Sequence, residues 1–267
     1  MYPYYLIDEI RKQNPLIHNI TNIVVANDSA NGLLAIGASP FMSSAPEEMT
    51  EVAALAAATV LNTGTLSNEQ LDAMRLVGRR ANELGKPVVI DPVGVGATGF
   101  RKREIVRLLH DVQPTLIRGN AGEIAALAEI EWQSKGVDAG AGSGDIVAAA
   151  EMTAQKFQTL VSVSGETDII TDGQTTYFVE NGTSAFTSMT GAGCLLSCVC
   201  GAFLAADKKP CLEAVVVANC GYAIAGELAA AELEGLLVGT FRNNLLDVLS
   251  QLDSAKIKQF AKIRRNA

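Results

Sequence analysis

The segment NEQLDAMRLVGRRANELGKPVVID, residues 68–91, places a helical pattern directly before a strand pattern. Residues 68–85 carry apolar side chains at three- and four-residue spacing, which predicts an amphipathic helix. Gly85-Lys86-Pro87 ends this helix, because glycine favours the left-handed conformation of a helix C-terminus and proline cannot continue a helix. The β-branched run 88–91 then predicts a buried strand.

The same alternation continues on the C-terminal side of this segment. Residues 104–112 repeat the helical spacing, and further short β-branched runs follow. The strands predicted from these runs are 115–120, 159–165, 168–173 and 176–180. Alternating strands and helices predict an α/β fold with a central, mostly parallel sheet and helices on both of its faces. Because the runs 159–173 and 174–182 resemble hairpin-linked strands, we expect a mixed sheet.

The two ends of the chain complete the prediction. Residues 14–49 predict a strand, a helix and a second strand, whereas the chain after Gly191 is expected to be helical to its end. No repeat, low-complexity tract or convincing linker divides the sequence. We therefore expect a single domain over residues 1–267 rather than two small ones.

Composition limits the class of partner. The chain has 267 residues, of which 48% are hydrophobic and 19% charged, and its net charge of −8 disfavours nucleic acid and anionic membranes as partners. The apolar runs 191–206 and 214–226 are shorter than a membrane span requires, so we expect buried core helices. The N-terminal sequence does not resemble a signal peptide. Five clustered cysteines without such a leader indicate reduced thiols and a cytoplasmic location.

Two carboxylates follow neighbouring predicted strands. Asp91 ends the strand 88–91, and Glu123 lies in the first turn of a helix after the strand 115–120. The carboxyl ends of parallel strands are where such sheets bind ligands, and Mg²⁺ takes one or two carboxylates together with phosphate oxygens. The alternatives are a turn residue for Asp91 and a helix cap for Glu123. The segment 94–99, GVGATG, also fits a dinucleotide fingerprint, but the next strand lacks the acidic ribose partner.

The stretch Thr190-Gly191-Ala192-Gly193 precedes an apolar helix and presents backbone N–H groups without obstructing side chains. The positive end of the helix makes this turn a candidate anion site. No Walker P-loop motif is present. Cys194 follows the turn, where the helix terminus lowers the pKa of a thiol and burial raises it; the sequence leaves the balance open.

The N-terminal block is unusually rich in amides for an apolar segment. Asn19, Asn22 and Asn27 suggest a small pocket with hydrogen-bonding groups, and Met42 is a candidate for its apolar wall. The alternative is that the asparagines cap turns and Met42 is part of the core. His18 and His110 are the only histidines, which disfavours histidine-based catalysis.

These blocks together resemble the hydroxyethylthiazole kinases, a family of the ribokinase-like superfamily. The resemblance covers essentially the whole chain and rests on the segments 14–42, 61–66, 88–98, 117–127, 135–140 and 190–203. It implies a ribokinase-like fold and ATP-dependent phosphorylation of the alcohol of 4-methyl-5-(2-hydroxyethyl)thiazole, with Mg²⁺. It also implies a homotrimer whose active sites lie at the subunit interfaces.

The resemblance also assigns binding roles. Met42 and Gly191 resemble thiazole-site residues of the family, with Asn22 beside them. Arg118 and Ser164 resemble its ATP contacts.

The catalytic assignments follow the superfamily pattern. Asn120 and Glu123 match the superfamily's N-x-x-E element, which is tied to Mg²⁺ and phosphate, and Asn120 is assigned to nucleotide binding. Asp91 matches the acidic residue that accompanies this element. The turn Gly191-Ala192-Gly193 resembles the anion hole, and Cys194 occupies the position at which most relatives have an aspartate base. Two rival functions are a kinase for another small hydroxymethyl heterocycle and an inert thiazole-binding protein.

Overall fold

The computed structural model describes residues 2–130, 143–207, 209, 211–231, 233–235 and 237–266. Within these residues the helices are α1 (Leu6–Gln13), α2 (Ala26–Ile36), α3 (Met49–Leu55), α4 (Asn68–Glu83), α5 (Gly99–Asp111), α6 (Ala121–Ala128), α7 (Ser143–Phe157), α8 (Ala192–Ala206), α9 (Leu212–Ala231), α10 (Val238–Gln251) and α11 (Ser254–Phe260). The strands are β1 (Leu16–Ile20), β2 (Ser39–Met42), β3 (Ala58–Asn62), β4 (Val88–Asp91), β5 (Leu116–Asn120), β6 (Leu160–Ser164), β7 (Asp168–Thr171), β8 (Thr176–Val179) and β9 (Ile263–Arg265). The motif 135–140 lies outside the described residues.

The nine strands of the described residues form one sheet in the order β2-β1-β3-β4-β5-β6-β7-β8-β9. The first six run parallel, whereas β7, β8 and β9 pair antiparallel. The predicted mixed, mostly parallel sheet is therefore confirmed, and so are the hairpin-linked strands β6, β7 and β8. Short turns join β6 to β7 and β7 to β8, because a hairpin needs only a few residues whereas a parallel return needs a crossover.

Helices cover both faces of the sheet, as predicted. One apolar core joins the sheet to α1, α2 and α8–α11, and a second joins its other face to α3–α7. The buried strands β3 and β4 contribute side chains to both cores, so they are apolar at successive positions rather than at alternate ones.

The apolar runs 191–206 and 214–226 become α8 and α9, and the expectation of buried core helices is confirmed. In the structure α9 extends to twenty residues, which by length and composition alone would suffice to cross a membrane. However, 78% of its most apolar window is buried inside the protein. The apolar side chains of α9 therefore pack in the core, where Val215, Val216 and Val217 are fully buried.

The prediction that the chain is helical after Gly191 is wrong at its end. Residues 263–265 form β9, which pairs antiparallel with β8. The charged sequence Arg264-Arg265 does not by itself predict a strand. It forms one because β8 offers a free edge for backbone pairing. The guanidinium of Arg264 lies 4.0 Å from the ring centre of Phe178 and donates to Glu180. Sequence analysis also missed α1, α3 and β3.

The parallel strands bring the candidate residues to one end of the sheet. Five of the six parallel strands end on a polar residue or on Met42: the last residues of β2–β6 are Met42, Asn62, Asp91, Asn120 and Ser164. The chain runs from β1 outward to β2 and then returns to β3 on the other side of β1, so the topological switch point lies between β1 and β3. Ligands of open α/β sheets bind at such a point, at the carboxyl ends of the strands.

Candidate active site

A chain of buried polar side chains crosses the switch point. Asn22, just after β1, donates from Nδ2 to Oδ1 of Asn62 at 2.9 Å, and Asn62 donates from Nδ2 to Oδ2 of Asp91 at 2.8 Å. Ser197 on α8 donates to the same carboxylate oxygen at 2.8 Å. We call these four residues the polar chain. It fixes Asp91 from two sides and orients the amide of Asn22.

The carboxylate of Asp91 is almost fully buried beneath the strand ends. Burial raises its pKa, while the charge of Arg118 and the hydrogen bonds from Ser197 and Asn62 act in the opposite direction. A buried carboxylate with several donors and a cation nearby is the kind of group that occurs at functional sites.

The N-terminus of α8 forms the turn predicted as an anion site. Gly191 has a φ of +85°, which favours glycine, and a Cβ atom there would lie 2.3 Å from Cγ1 of Val25. The N–H of Ala192 turns back to the carbonyl of Met189 at 3.3 Å. Among the described residues, no acceptor receives the N–H groups of Gly193 and Cys194. Two adjacent donors at the start of a fifteen-residue helix therefore remain available to an anion.

Cys194 joins the polar chain to this turn. Its Sγ accepts from Nδ2 of Asn22 at 3.6 Å, and its side chain is partly exposed. Burial and the neighbouring charge of Asp91 raise the pKa of the thiol to about 11, against the hydrogen bonds and the charge of Arg118. The group is therefore a neutral thiol near pH 7.

Arg118 lies under the same turn. Its guanidinium donates to the hydroxyl of Ser164 and is so close to Gly193 that a Cβ there would lie 2.4 Å from Nη1. Burial lowers the pKa of Arg118, whereas the negative charges nearby, those of Asp91 and Glu123 first, raise it. The charges outweigh burial, so the net shift is upward. The structure thus brings Arg118, Ser164 and the glycine turn together, with Nε of Arg118 buried and without a partner among the described side chains.

Glu123 and Asn120 form a capping box at the start of α6. Asn120 accepts the N–H of Glu123, and Oε2 of Glu123 accepts the N–H of Asn120, both at 2.9 Å. Oε1 of Glu123 accepts the N–H of Gly94 at 3.0 Å. Burial raises the pKa of Glu123, and the charge of Asp91 raises it further, so the two carboxylates repel each other. The sequence reading of Glu123 as a cap is therefore correct, and this role leaves its carboxylate beside Asp91.

This pair of carboxylates fits a hydrated divalent cation. The mutual repulsion of Asp91 and Glu123 is the property that a cation would relieve. Within the described residues no group of three or more His, Cys, Asp or Glu side chains forms a metal site. A Mg²⁺ ion here would therefore take most of its ligands from water and phosphate, as it usually does.

The remaining candidates of the N-terminal block are separate from the polar chain. Met42 lies at the end of the edge strand β2, with 37% of its surface exposed, and β-pairing places it beside Asn19. Asn19 is buried and accepts from the thiol of Cys198 at 3.2 Å, whereas Asn27 bonds with Asn31 within α2. No hydrogen bond in the described part of the chain connects these side chains to Asp91.

Two residues of the polar chain were missed by sequence reasoning. Asn62 ends β3, and it would have been found had the apolar run 58–62 been recognised as a strand with a polar last residue. Ser197 lies one helical turn after Cys194 inside an apolar helix, where a lone serine gives no signal. Only the packing of α8 against the sheet shows that its hydroxyl meets Asp91.

A surface pocket with a volume of about 650 Å³ lies away from this site. It is lined by residues such as Lys86, Thr115 and Leu160, at the opposite end of β4, β5 and β6. The amino group of Lys86 is already occupied by the carbonyls of Ala53 and Ala54. The site at the carboxyl ends instead combines available donors, buried charges and a topological switch point.

The architecture is a ribokinase-like fold, with the candidate site at the carboxyl ends of its parallel strands. A ribokinase-like superfamily protein of Enterococcus faecalis V583 shares the fold with a TM-score of 0.65 at 13% sequence identity, over 90% of this chain and 87% of that protein.

The sequence profile of the Hydroxyethylthiazole kinase family matches residues 7–255. A hydroxyethylthiazole kinase of Pasteurella multocida (strain Pm70) is 54% identical over 98% of both chains. The structure of the hydroxyethylthiazole kinase protein from Pyrococcus horikoshii OT3 matches with a TM-score of 0.89 and 38% identity, over 98% of both chains. The chain therefore belongs to the Hydroxyethylthiazole kinase family and is a phosphotransferase. The family resemblance and the ribokinase-like fold expected from the sequence are confirmed.

Proposed function

We propose that this chain transfers the γ-phosphoryl group of ATP to the hydroxyethyl alcohol of 4-methyl-5-(2-hydroxyethyl)thiazole. The observation that carries the proposal is the pair of unoccupied N–H groups, on Gly193 and Cys194, directly above the guanidinium of Arg118. Phosphoryl transfer depends mainly on alignment and on neutralising the equatorial oxygens, and these donors are arranged for that task. The family and its relatives named for this substrate support the choice of alcohol.

The alcohol is proposed to bind between Asn22, Met42 and Gly191. The amide of Asn22 is held by the polar chain and is 3.6 Å from the thiol of Cys194, so both groups face the same position. We assign Cys194 to contact with the attacking oxygen. Because its pKa is raised to about 11, the thiol acts as a neutral hydrogen-bond partner rather than as a thiolate base.

ATP is proposed to bind on the β5 and β6 side of the turn. Ser164 and Asn120 end these strands opposite each other in the β-ladder, and Arg118 reaches from β5 toward the glycine turn. Gly191, Ala192 and Gly193 form the proposed anion hole. Among the described residues, Ala192 donates its N–H to Met189, whereas the N–H groups of Gly191, Gly193 and Cys194 have no acceptor. We assign the phosphate contacts to Gly193 and Cys194, which are adjacent in the first turn of α8.

Mg²⁺ is the proposed cofactor, and Asp91 and Glu123 are the residues that would hold it. When bound, Mg²⁺ would supply positive charge that neutralises the negative charge of the transferring phosphoryl group. Each oxygen of Glu123 already accepts a backbone N–H, so its carboxylate is fixed before the ion arrives. The two side chains themselves supply negative charge and orientation.

We further propose a single kinase domain that assembles as a cytoplasmic homotrimer, with each site completed by a neighbouring copy. Ile23 and Val24 follow the site residue Asn22 and are largely exposed, as is part of Met42. This apolar surface beside the site supports an interface there. The five free cysteines are in keeping with a reducing compartment. Light scattering at micromolar concentration should give three times the mass of the chain.

The test of the function is a coupled assay for ADP release. ADP release should require Mg²⁺ and the hydroxyethylthiazole, and mass spectrometry should detect its phosphate ester. A hydroxymethylpyrimidine replaces the thiazole in a parallel reaction, and a higher kcat/KM for the pyrimidine would favour the sister kinase. Binding of the thiazole without any ADP release would refute the kinase proposal.

A further inference from the structure

One guanidinium ties together the loops that follow β3 and β4. Arg101, in the first turn of α5, donates from Nη1 to the carbonyls of Thr63 and Val93 at 2.6 and 2.9 Å. Its Nη2 donates to the carbonyl of Gly64 at 2.6 Å. Arginine suits this task because its planar group presents several donors in a fixed fork, whereas a lysine ammonium is a single point charge.

Both loops hold groups of the candidate site. The N–H of Gly64 donates to Oδ1 of Asn62 at 3.0 Å, and Gly64 packs so closely on Asn22 that a Cβ would lie 2.6 Å from its Nδ2. On the other loop, the N–H of Gly94 binds Oε1 of Glu123. Arg101 therefore links the loop that contacts Asn22 to the loop that fixes Glu123. The hydroxyl of Thr63 adds a second link, because it donates to the carbonyls of Asp91 and Val93 at 3.3 and 3.2 Å.

The location of Arg101 is unfavourable for the helix that carries it. The first turn of α5 contains Arg101 and Lys102 and no acidic residue. Cations near a helix N-terminus oppose the helix macrodipole and so destabilise the helix slightly. A cation that lies at a helix N-terminus against this preference is held there by contacts outside the helix. For Arg101 these contacts are the three backbone carbonyls of Thr63, Gly64 and Val93.

We propose that Arg101 is a positioning residue for phosphoryl transfer, which sets the distance between the polar chain and Glu123. It acts through the two loops and does not touch the reacting atoms. This inference rests on the kinase function proposed above. The expected signature is a loss in kcat that exceeds any change in KM for the alcohol, because misalignment affects the transition state more than binding.

The test compares Arg101→Met, Arg101→Lys and the control Arg107→Met. Arg107 is an exposed arginine of the same helix whose contact is an ion pair with Glu104. We expect R101M to lower kcat about 30-fold, within the range that a misplacement of about 1 Å causes, with KM for the alcohol changed less than about threefold. R101K should lie between R101M and the wild type, and R107M should retain wild-type kcat.

The folded fraction is measured by circular dichroism for every variant, and kcat is expressed per folded molecule. Wild-type kcat per folded R101M molecule, even with a lowered Tm, would overturn the inference because Arg101 would then be only structural. If R101M does not fold, R101K decides, and an unchanged kcat in R101K overturns the inference. A wild-type enzyme that releases no ADP with the thiazole refutes the proposed function instead.

Discussion

Replacing Gly193 with alanine tests the contact between the glycine turn and Arg118. An alanine Cβ at this position would lie 2.4 Å from Nη1 of Arg118, 3.0 Å from Nη2 and 3.1 Å from Cζ. Ordinary contacts begin at 3.4 Å, so the guanidinium must move by about 1 Å. It is the end of a flexible side chain, but burial and the charges of Asp91 and Glu123 confine it.

The expected magnitudes separate stability from activity. Overpacking costs about 1 to 3 kcal/mol, and alanine gains about 0.5 to 1 kcal/mol over glycine within a helix, so the net destabilisation is about 0 to 2.5 kcal/mol. A displacement of about 1 Å in a group that aligns phosphate lowers kcat/KM for ATP by about 10- to 100-fold. The loss of activity should therefore exceed what partial unfolding explains.

The assay is ADP release at varied ATP concentration, together with thermal unfolding. Gly239→Ala is the matched control, because Gly239 holds the same position in the first turn of α10 as Gly193 does in α8, and nothing lies within 4 Å of its added Cβ. Gly239→Ala should keep wild-type kinetics with an unchanged or higher Tm. Wild-type kcat/KM for ATP in Gly193→Ala would refute the reasoning, and so would an equal loss in Gly239→Ala.

Two further predictions concern ionisable groups. Cys194→Ala should lower kcat with little change in KM. The ratio of wild-type to variant kcat should stay constant from about pH 7 to 9, because a thiol with a pKa of about 11 stays protonated over this range. A tenfold rise of this ratio per pH unit would instead indicate a thiolate base. Burial raises the pKa of Asp168 to about 6, so the folded state holds this proton more tightly than the unfolded state. As pH rises from about 4 to 6, the free energy of unfolding of the wild type should therefore fall by up to roughly 3 kcal/mol relative to that of Asp168→Asn. Urea unfolding across this range measures the difference, and a constant difference would contradict the pKa.

The sequence determined the layered architecture because its signals are local. Helical spacing over 68–85 and the stop at Gly85-Lys86-Pro87 depend only on neighbours along the chain, and α4 and β4 occur where these signals place them. Parallel strands align their carboxyl ends, so Asp91, Asn120 and Glu123 could be assigned to one end of the sheet without coordinates. Ser164 was assigned from the family resemblance alone. The family resemblance followed from other segments, such as 14–42 and 190–203.

Only the tertiary structure decided which groups meet there. Asn62 and Ser197 complete the environment of Asp91 from a strand and a helix that are 135 residues apart, and no local pattern records such a contact. The protonation of Cys194 likewise depends on burial and on the charge of Asp91, which both raise the pKa of the thiol. Periodicity is written into successive residues, whereas desolvation and charge interactions act through space and exist only once the chain has folded.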